Sequence, residues 1–243
     1  MNENASQKLA VVTGAAIRLG KAIALGLAEK GYAIGLHYHH SQAAAEQTAA
    51  EIEKLGAPVL RLPADLSKEK QIKDLFRRIE ESGYLLKVLV NSAAEMQRSD
   101  LLELSVKEWD YTMALNLRAP WLCARYAARL MEQDGVIINI SDSGTRKVWL
   151  GYPSYLVSKA GLEALTRQLA RRLGPRIRVN AIAPGLLLPA ENFPQQEWHR
   201  LVSRIPMQQA GKVEELVKAV LFLVESLYIT GEILVVDGGY ALT

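Results

Sequence analysis

Short apolar segments alternate with helical patterns along the whole chain, and this alternation constrains the fold more than any other feature. The predicted strands are LAVVT (9–13), AIGLHY (33–38), PVLRLPADL (58–66), KVLVNSA (87–93), GVIINIS (135–141), RIRVNAIAP (176–184) and EILVVDGG (232–239). The predicted helices cover 21–31, 43–56, 69–83, about 108–131, about 153–173 and 213–225. Strands separated by helices imply parallel βαβ crossovers with helices on both faces of the sheet. The pattern predicts an α/β fold in which ligands bind beyond the carboxyl ends of the strands.

Length and composition are those expected of one soluble globular domain. The chain has 243 residues, 49% of them hydrophobic, and it contains no internal repeat or linker, so residues 1–243 are expected to form a single domain. A net charge of +3 does not favour nucleic acid. The densest basic stretch, ARRLGPRIR (170–178), is interpreted as a helix end followed by a strand start.

No apolar segment is long enough to span a membrane, and the start MNENASQKLAVVTG lacks the features of a secretory signal. The single cysteine, Cys123, excludes an internal disulfide, which fits a reducing compartment. We therefore expect a cytoplasmic protein without membrane or nucleic-acid partners.

The first predicted strand ends in TGAAIRLG, from Thr13 to Gly20. A glycine-bearing turn between a strand and a helix allows backbone N–H groups and a helix N-terminus to meet a pyrophosphate. The alternative is a plain strand-to-helix turn, which accounts for Gly14 but not for Gly20. The position of the turn favours a nucleotide site.

The tip of the second predicted strand indicates which dinucleotide binds. An acidic residue there would accept hydrogen bonds from a ribose 2′-hydroxyl and repel a 2′-phosphate. The tip instead reads HYHHS, with His37, His39, His40 and Ser41, and Arg18 adds a positive charge. This set favours NADPH over NADH. Metal ligation by the histidines is disfavoured because no carboxylate or cysteine accompanies them.

Tyr155 and Lys159 lie one helical turn apart and share a helix face. A neighbouring ammonium favours phenolate, so Lys159 is expected to lower the pKa of Tyr155 and make it a proton-exchanging group. The YxxxK pattern alone is common in ordinary helices, and here its context after a parallel strand gives it weight. Asp142 precedes Tyr155 by thirteen positions, which places a second acid near the first.

Together these segments resemble the short-chain dehydrogenase/reductase family over essentially the full length. The matching pieces are TGAAIRLG, ADL (64–66), NSAA (91–94), Asn116, YLVSK (155–159), NAIAPG (180–185) and VDGG (236–239). The resemblance implies a doubly wound Rossmann-like subunit with a seven-stranded parallel sheet, usually a homotetramer. It also implies hydride transfer between a nicotinamide and a carbonyl or imine carbon.

The resemblance further implies roles for individual residues. Tyr155 would donate the proton, Lys159 would hold the nicotinamide ribose, Asn116 would support a proton-relay water, and Asp142 would complete the catalytic set. The cofactor-binding residues would be Gly14, Arg18, Leu19, Gly20, His39, His40, Ser41, Asp65, Leu66, Asn91, Ala93, Tyr155, Lys159, Pro184 and Gly185.

Two departures from the common family pattern resemble pteridine reductases in particular. Arg18 stands at the usual middle glycine of the turn, and Asp142 stands at the usual catalytic serine. In that subfamily the aspartate binds the amino-pyrimidine edge of a pterin and takes part in proton delivery, which fits a carboxylate that accepts two hydrogen bonds. The structural alternative is that Asp142 caps a loop or helix through backbone N–H groups.

Other departures concern the substrate and the 2′-phosphate. Met96 falls where pteridine reductases commonly have an aromatic residue that stacks on the pterin, and His40 falls where the family often has an arginine. The predicted substrate residues are Arg18, Met96, Asp142 and Tyr155. A substrate lid is expected at about 186–210, and its Phe193 and Trp198 either line the site or are buried structurally.

The resulting prediction is an NADPH-dependent reductase of a pterin such as dihydrobiopterin, dihydromonapterin or dihydrofolate. Two alternatives stay open. One is a generic carbonyl or 3-oxoacyl reductase of the same fold, and the other is a catalytically silent NADPH-binding protein.

Overall fold

The protein was analysed as a computed structural model, which describes residues 7–189 and 193–243. Seven strands form one parallel sheet in the order β3-β2-β1-β4-β5-β6-β7. The strands are β1 Lys8–Val12, β2 Ala33–Tyr38, β3 Val59–Pro63, β4 Leu85–Asn91, β5 Gly135–Ile140, β6 Ile177–Pro184 and β7 Ile233–Val236. The predicted single Rossmann-like α/β fold with a seven-stranded parallel sheet is confirmed.

Helices cover both faces of this sheet. They are α1 Arg18–Glu29, α2 Gln42–Lys54, α3 Glu69–Glu81, α4 Val106–Met113, α5 Ala119–Leu130, α6 Pro153–Leu173, α7 Gln195–Val202 and α8 Val213–Glu225. Neighbouring strand residues point to opposite faces, so Val12 packs in a core with α1, α2 and α8, and Val11 packs in a core with α3 and α5. Burial on both faces explains why the strands read as continuous apolar runs.

The long helix predicted at about 108–131 is divided in the structure. It begins at Val106, where Ser105 and Glu108 form a capping box, and it passes through a π-helical turn at Ala114–Arg118 before α5. Such turns frequently occur at functional sites. Here the π-helical turn carries Asn116.

Strand order reverses between β1 and β4, because β2 and β3 lie on one side of β1 and the later strands lie on the other. The carboxyl ends of these two strands therefore border a crevice, which is where ligands bind in open α/β sheets.

Candidate active site

A cleft of about 940 Å³ opens along the carboxyl edge of the sheet. Most of the predicted site residues line it, and they come from the turn after β1, the start of α1, the tips of β2 and β3, the segments after the later strands, and helix α6. The lining residues among those predicted are Gly14, Arg18, Leu19, Gly20, His39, His40, Ser41, Asp65, Leu66, Ala93, Met96, Asp142, Tyr155, Lys159, Pro184 and Gly185. Asn91 and Asn116 are buried just outside the lining.

The glycines of the first turn are required by close packing. Gly14 has a φ of +66°, and a Cβ there would lie 3.0 Å from the Cα of Ala93. A Cβ on Gly20 would lie 2.1 Å from the carbonyl oxygen of Gly14. The plain-turn alternative therefore accounts for Gly20 as well as Gly14, because the backbone of Gly14 passes too close to Gly20 in α1 to leave room for a side chain there.

Arg18 opens helix α1 with a φ of +54°, in the left-handed region that glycine adopts without cost. Its guanidinium Nη2 donates hydrogen bonds to the carbonyl oxygens of Pro189, at 2.9 Å, and Leu188, at 3.3 Å. The side chain thus spans from the nucleotide turn to the start of the predicted lid.

The expectation that His37 offers positive charge to a phosphate is wrong. The ring is buried, its Nδ1 accepts a hydrogen bond from the backbone N–H of Gly14 at 2.9 Å, and its Nε2 donates to the carbonyl oxygen of Ala64 at 3.0 Å. Burial lowers the pKa of His37 to about 4, so the ring is neutral. His37, on β2, instead links the segments that follow β1 and β3 through these two hydrogen bonds. His39 and His40 are exposed at the cleft with ring centroids 3.5 Å apart.

Asp142 and Tyr155 are hydrogen-bonded to each other. The Tyr155 hydroxyl donates to Oδ2 of Asp142 at 2.7 Å, and the backbone N–H of Gly144 donates to Oδ1 at 2.7 Å. Asp142 is also the N-cap of a short 3-10 turn, Ser143–Arg146. The capping alternative is therefore confirmed for Oδ1, whereas Oδ2 accepts from the phenol, and pterin binding by this carboxylate stays a prediction.

The expectation that Lys159 lowers the pKa of Tyr155 is wrong in this structure. Burial and then the charge of Asp142 hold the pKa of Tyr155 well above its usual value. The Lys159 ammonium donates to the carbonyl oxygen of Ile140 at 2.7 Å and lies 5.6 Å from the phenol ring centroid. Tyr155 is therefore a protonated acid, which is the form that a reductase needs for proton donation.

Burial shifts the other two ionisable groups of this cluster as well. It raises the pKa of Asp142, although the hydrogen bond from Tyr155 and the charge of Lys159 oppose that shift. It lowers the pKa of Lys159 to about 8, and the Asp142 charge limits the decrease. The charge of Asp142 thus acts on both neighbours, because it raises the pKa of Tyr155 and limits the decrease at Lys159.

The two buried asparagines have structural partners. The side chain of Asn116 bonds to the backbone N–H and carbonyl of Glu95 and to Oγ of Ser158. Nδ2 of Asn91 donates to Asn139 Oδ1 at 2.8 Å, whereas Asn91 Oδ1 has no hydrogen-bond partner within the described part of the chain.

An aromatic wall that the sequence analysis did not identify lines the end of the cleft that contains Asp142. Its members, Trp149, Tyr152 and Tyr240, lie with the Trp149 ring centroid about 6 Å from each tyrosine ring: 6.2 Å from Tyr152 and 6.1 Å from Tyr240. The Lys147 ammonium sits 4.0 Å from the Tyr240 ring centroid. Met96 is exposed at the same cleft. Tyr240 belongs to the closing segment DGGYALT (237–243), and this segment was the sequence feature from which an aromatic residue at the cleft could have been predicted.

The predicted lid contains helix α7. Residues 190–192 of the lid lie outside the described residues. Phe193 and Trp198 form an edge-to-face pair with centroids 6.2 Å apart, and both line the cleft without being fully buried. Of the two options left open for these rings, the structure favours the lining role.

Among residues 7–189 and 193–243, no helix has the length and apolarity needed to cross a membrane. Within the same ranges, no group of three or more His, Cys, Asp or Glu side chains could hold a metal ion.

Comparisons with known proteins agree with this fold. A family model described as Enoyl-(Acyl carrier protein) reductase matches residues 14–241. The 3-oxoacyl-[acyl-carrier-protein] reductase FabG of Staphylococcus aureus is 31% identical over 96% of this chain and 97% of its own. A crystal structure of FolM alternative dihydrofolate reductase 1 from Brucella canis with NADP has a TM-score of 0.91 and 34% identity, covering 100% of this chain and 97% of that one. The landomycin C-6 ketoreductase LanV with NADP and rabelomycin has a TM-score of 0.89 and 30% identity, covering 99% and 98%.

Proposed function

The chain belongs to the short-chain dehydrogenase/reductase family and is an NADPH-dependent oxidoreductase, and we propose that it reduces a C=N bond of a pterin such as dihydrobiopterin, dihydromonapterin or dihydrofolate. The observation that carries the proposal is the 2.7 Å hydrogen bond from Tyr155 to Asp142 inside the cleft. A simple ketone presents one oxygen and needs one donor. A pterin edge presents an N–H and an amino group, and a carboxylate can accept hydrogen bonds from both.

The residues at the nucleotide end fit NADPH. Gly14 lies in the turn before α1, and Leu19 and Gly20 lie in the first turn of that helix, where close packing lets a pyrophosphate approach backbone. Arg18, His39, His40 and Ser41 would provide donors for a 2′-phosphate. Asp65 and Leu66 would flank the adenine, while Asn91 and Ala93 border the groove.

At the nicotinamide end, a Cβ on Gly185 would lie 2.6 Å from the Cβ of Asp237, so Gly185 lets the backbone beside Pro184 run close to Asp237. The cofactor, when bound there, supplies the hydride. Lys159 is buried and lines the cleft, so its ammonium would donate hydrogen bonds to the hydroxyls of the nicotinamide ribose.

The proton comes from this chain's own acids. Tyr155 is protonated and faces Asp142, so it would give its proton to the reduced heterocycle while Asp142 holds the amino-pyrimidine edge. Asn116 would support a water that restores the proton. Arg18 and Met96 would contact the substrate, and residues 186–210 would form a lid over a single reductase domain that spans 1–243.

The proposal extends to assembly and location. We propose that the protein is cytoplasmic and forms a homotetramer, and two groups of exposed apolar side chains support the assembly. One group, Val106, Tyr111, Trp121 and Val157, lies on α4, α5 and α6, and the other, Phe222, Leu227, Tyr228 and Val235, lies on or after α8 and on β7. Size-exclusion chromatography with light scattering tests the assembly.

Reduction of a 3-oxoacyl thioester or another simple carbonyl is the second candidate. It is favoured by the similarity to FabG and by Met96, which offers a poorer platform for a flat ring than an aromatic side chain. A catalytically silent NADPH-binding protein is disfavoured, because a buried Tyr155, Asp142 and Lys159 cluster has a desolvation cost that binding alone does not require.

Steady-state oxidation of NADPH against a panel of substrates separates these candidates. The panel holds dihydrobiopterin, dihydromonapterin, dihydrofolate, an acetoacetyl thioester and a simple ketone. Turnover of a pterin with the highest kcat/KM supports the proposal, turnover of the carbonyls alone supports the second candidate, and NADPH binding without any turnover supports the silent protein.

A further inference from the structure

A second buried carboxylate, Glu163, lies beneath the loop that carries Asp142. Glu163 is 8% exposed and belongs to helix α6, one turn after Lys159 and two turns after Tyr155. Residues at this spacing share one face of a helix. The face of α6 that presents the phenol and the ammonium therefore also presents Glu163 toward the end of β5.

Side chains on both sides of Asp142 converge on a single oxygen of Glu163. Ser141 Oγ lies 3.0 Å from Oε1, and Thr145 Oγ1 lies 2.9 Å from it. Thr145 Oγ1 is also 2.9 Å from the backbone carbonyl of Asp142, and Arg146 Nη1 is 3.4 Å from the same Glu163 oxygen. The carboxylate thus contacts the residue before Asp142 and the far end of the 3-10 turn after it.

We propose that Glu163 is a positioning residue, which anchors the segment Ser141–Arg146 and thereby keeps Asp142 within hydrogen-bond reach of Tyr155. The inference rests on the proposed role of Asp142 and does not depend on which substrate is reduced. Without this anchor, the Ser141 hydroxyl loses its acceptor and the Thr145 hydroxyl keeps only the Asp142 carbonyl, so fewer contacts fix the turn that carries Asp142.

Glu163 also contributes charge to the site. The titratable groups that face Asp142 are Tyr155, Lys159 and Glu163 from α6 and Tyr240 from the C-terminal turn. Burial raises the pKa of Tyr240, and the charge of Asp142 raises it further. Arg146 and Lys147 belong to the same loop as Asp142. Burial is the main cause that raises the pKa of Asp142, and the Glu163 charge adds to it, so neutralising Glu163 lowers that pKa.

Two variants and a control test the inference. Glu163→Ala removes the acceptor, and a displaced Asp142 should reduce kcat for dihydrobiopterin by about 100-fold while the Kd of NADPH stays unchanged. Glu163→Gln keeps an oxygen acceptor and loses the charge, so it should retain much of kcat while the acid limb of the kcat/KM profile moves to lower pH. Glu214→Gln, at an exposed glutamate of α8, should change neither.

Amide hydrogen exchange reports on the loop without any substrate. The Gly144 N–H donates to Asp142 Oδ1, so Glu163→Ala should accelerate its exchange while amides in β1 keep their wild-type rates. Unchanged exchange at Gly144 would overturn the inference. If the wild type reduces none of the pterins in the panel, the proposed function fails, but this measurement still decides the role of Glu163.

A double-mutant cycle separates positioning from general destabilisation. If Glu163 acts through Asp142, then Glu163→Ala should cause no further loss of kcat in an Asp142→Ala background. A full additional loss in that background would show that Glu163 acts elsewhere and would contradict the proposal.

Discussion

The Tyr155 hydroxyl donates to Asp142 Oδ2 across 2.7 Å, so the two acids of the cleft are partners rather than competitors. Burial raises the pKa of the Tyr155 phenol, and the charge of Asp142 and the hydrogen bond to it raise that pKa further, so the phenol keeps its proton. A serine at position 142 would offer a hydroxyl of no net charge. The carboxylate therefore changes the protonation of Tyr155 and, in the proposed function, the donor groups of the substrate that the site can bind.

Replacing Tyr155 with Phe should remove the proton donor and preserve the ring that packs in the cleft. We expect kcat to fall by about 100- to 10,000-fold, the usual contribution of a general acid, while the Kd of NADPH stays close to the wild-type value. Single-turnover kinetics and fluorescence titration measure the two quantities. Tyr152→Phe, in the same cleft, is the matched control and should keep kcat. Wild-type turnover in Tyr155→Phe would remove Tyr155 from the mechanism.

Deprotonation of the buried Lys159 ammonium should set the upper pH limit for cofactor binding. Its pKa is lowered to about 8, so Lys159 loses its charge as the pH rises through that value, and NADPH binding should weaken. Asp142 opposes that lowering, so Asp142→Asn should move the limit to lower pH. Isothermal titration with NADPH from pH 6 to about 10 covers the range in which lysines titrate. A limit that stays in place or moves upward in Asp142→Asn would contradict the assigned coupling.

Selectivity for the 2′-phosphate should depend on the tip of β2. His40→Arg introduces a permanent charge and a forked donor, so the Kd of NADPH should fall several-fold while the Kd of NADH does not change. His40→Asp should raise the Kd of NADPH by about tenfold or more, equivalent to ~1.4 kcal/mol, because the new carboxylate repels the 2′-phosphate. His199→Asp, on exposed α7, serves as the control. Equal effects on both dinucleotides would place His40 away from the phosphate.

His37 should make the fold sensitive to acid. Its folded-state pKa of about 4 lies below its ordinary value of 6.5, so the unfolded chain binds the proton more readily, and stability falls as the pH drops from 6.5 toward 4. Between pH 7 and pH 4.5 this group should account for about 2–3 kcal/mol of the loss. Urea unfolding at both pH values should show a smaller loss in His37→Gln, whereas His199→Asn should behave as the wild type does. An identical loss in His37→Gln would contradict this account.

The fold could be predicted from the sequence because each buried strand needs apolar residues toward both faces. Val11 and Val12 point into different cores, and this requirement produces the continuous run in LAVVT. The π-helical turn around Asn116 could not be predicted, since it arises from tertiary packing and ALNLR has no residue that forces it.

Site residues that follow strand ends were predictable, whereas their partners were not. The HYHHS segment does not reveal that His37 turns inward to Gly14, and a YxxxK pattern does not reveal that the ammonium of Lys159 is directed to a backbone carbonyl. Trp149 and Tyr240 are distant in sequence and meet only when the C-terminal turn folds against the loop after β5. Electrostatic shifts depend on such distances, which explains the error in the expected pKa of Tyr155.

The most direct test of the central claim compares substrate preference in the wild type and in Asp142→Ser, which restores the residue that is usual in the family. The measured quantity is the ratio of kcat/KM for dihydrobiopterin to kcat/KM for an acetoacetyl thioester, both with NADPH. We predict that the wild type favours the pterin and that Asp142→Ser lowers the ratio by about 100-fold, because the site loses its two-acceptor carboxylate. A wild type that favours the thioester, with a ratio that Asp142→Ser leaves unchanged, would contradict the account.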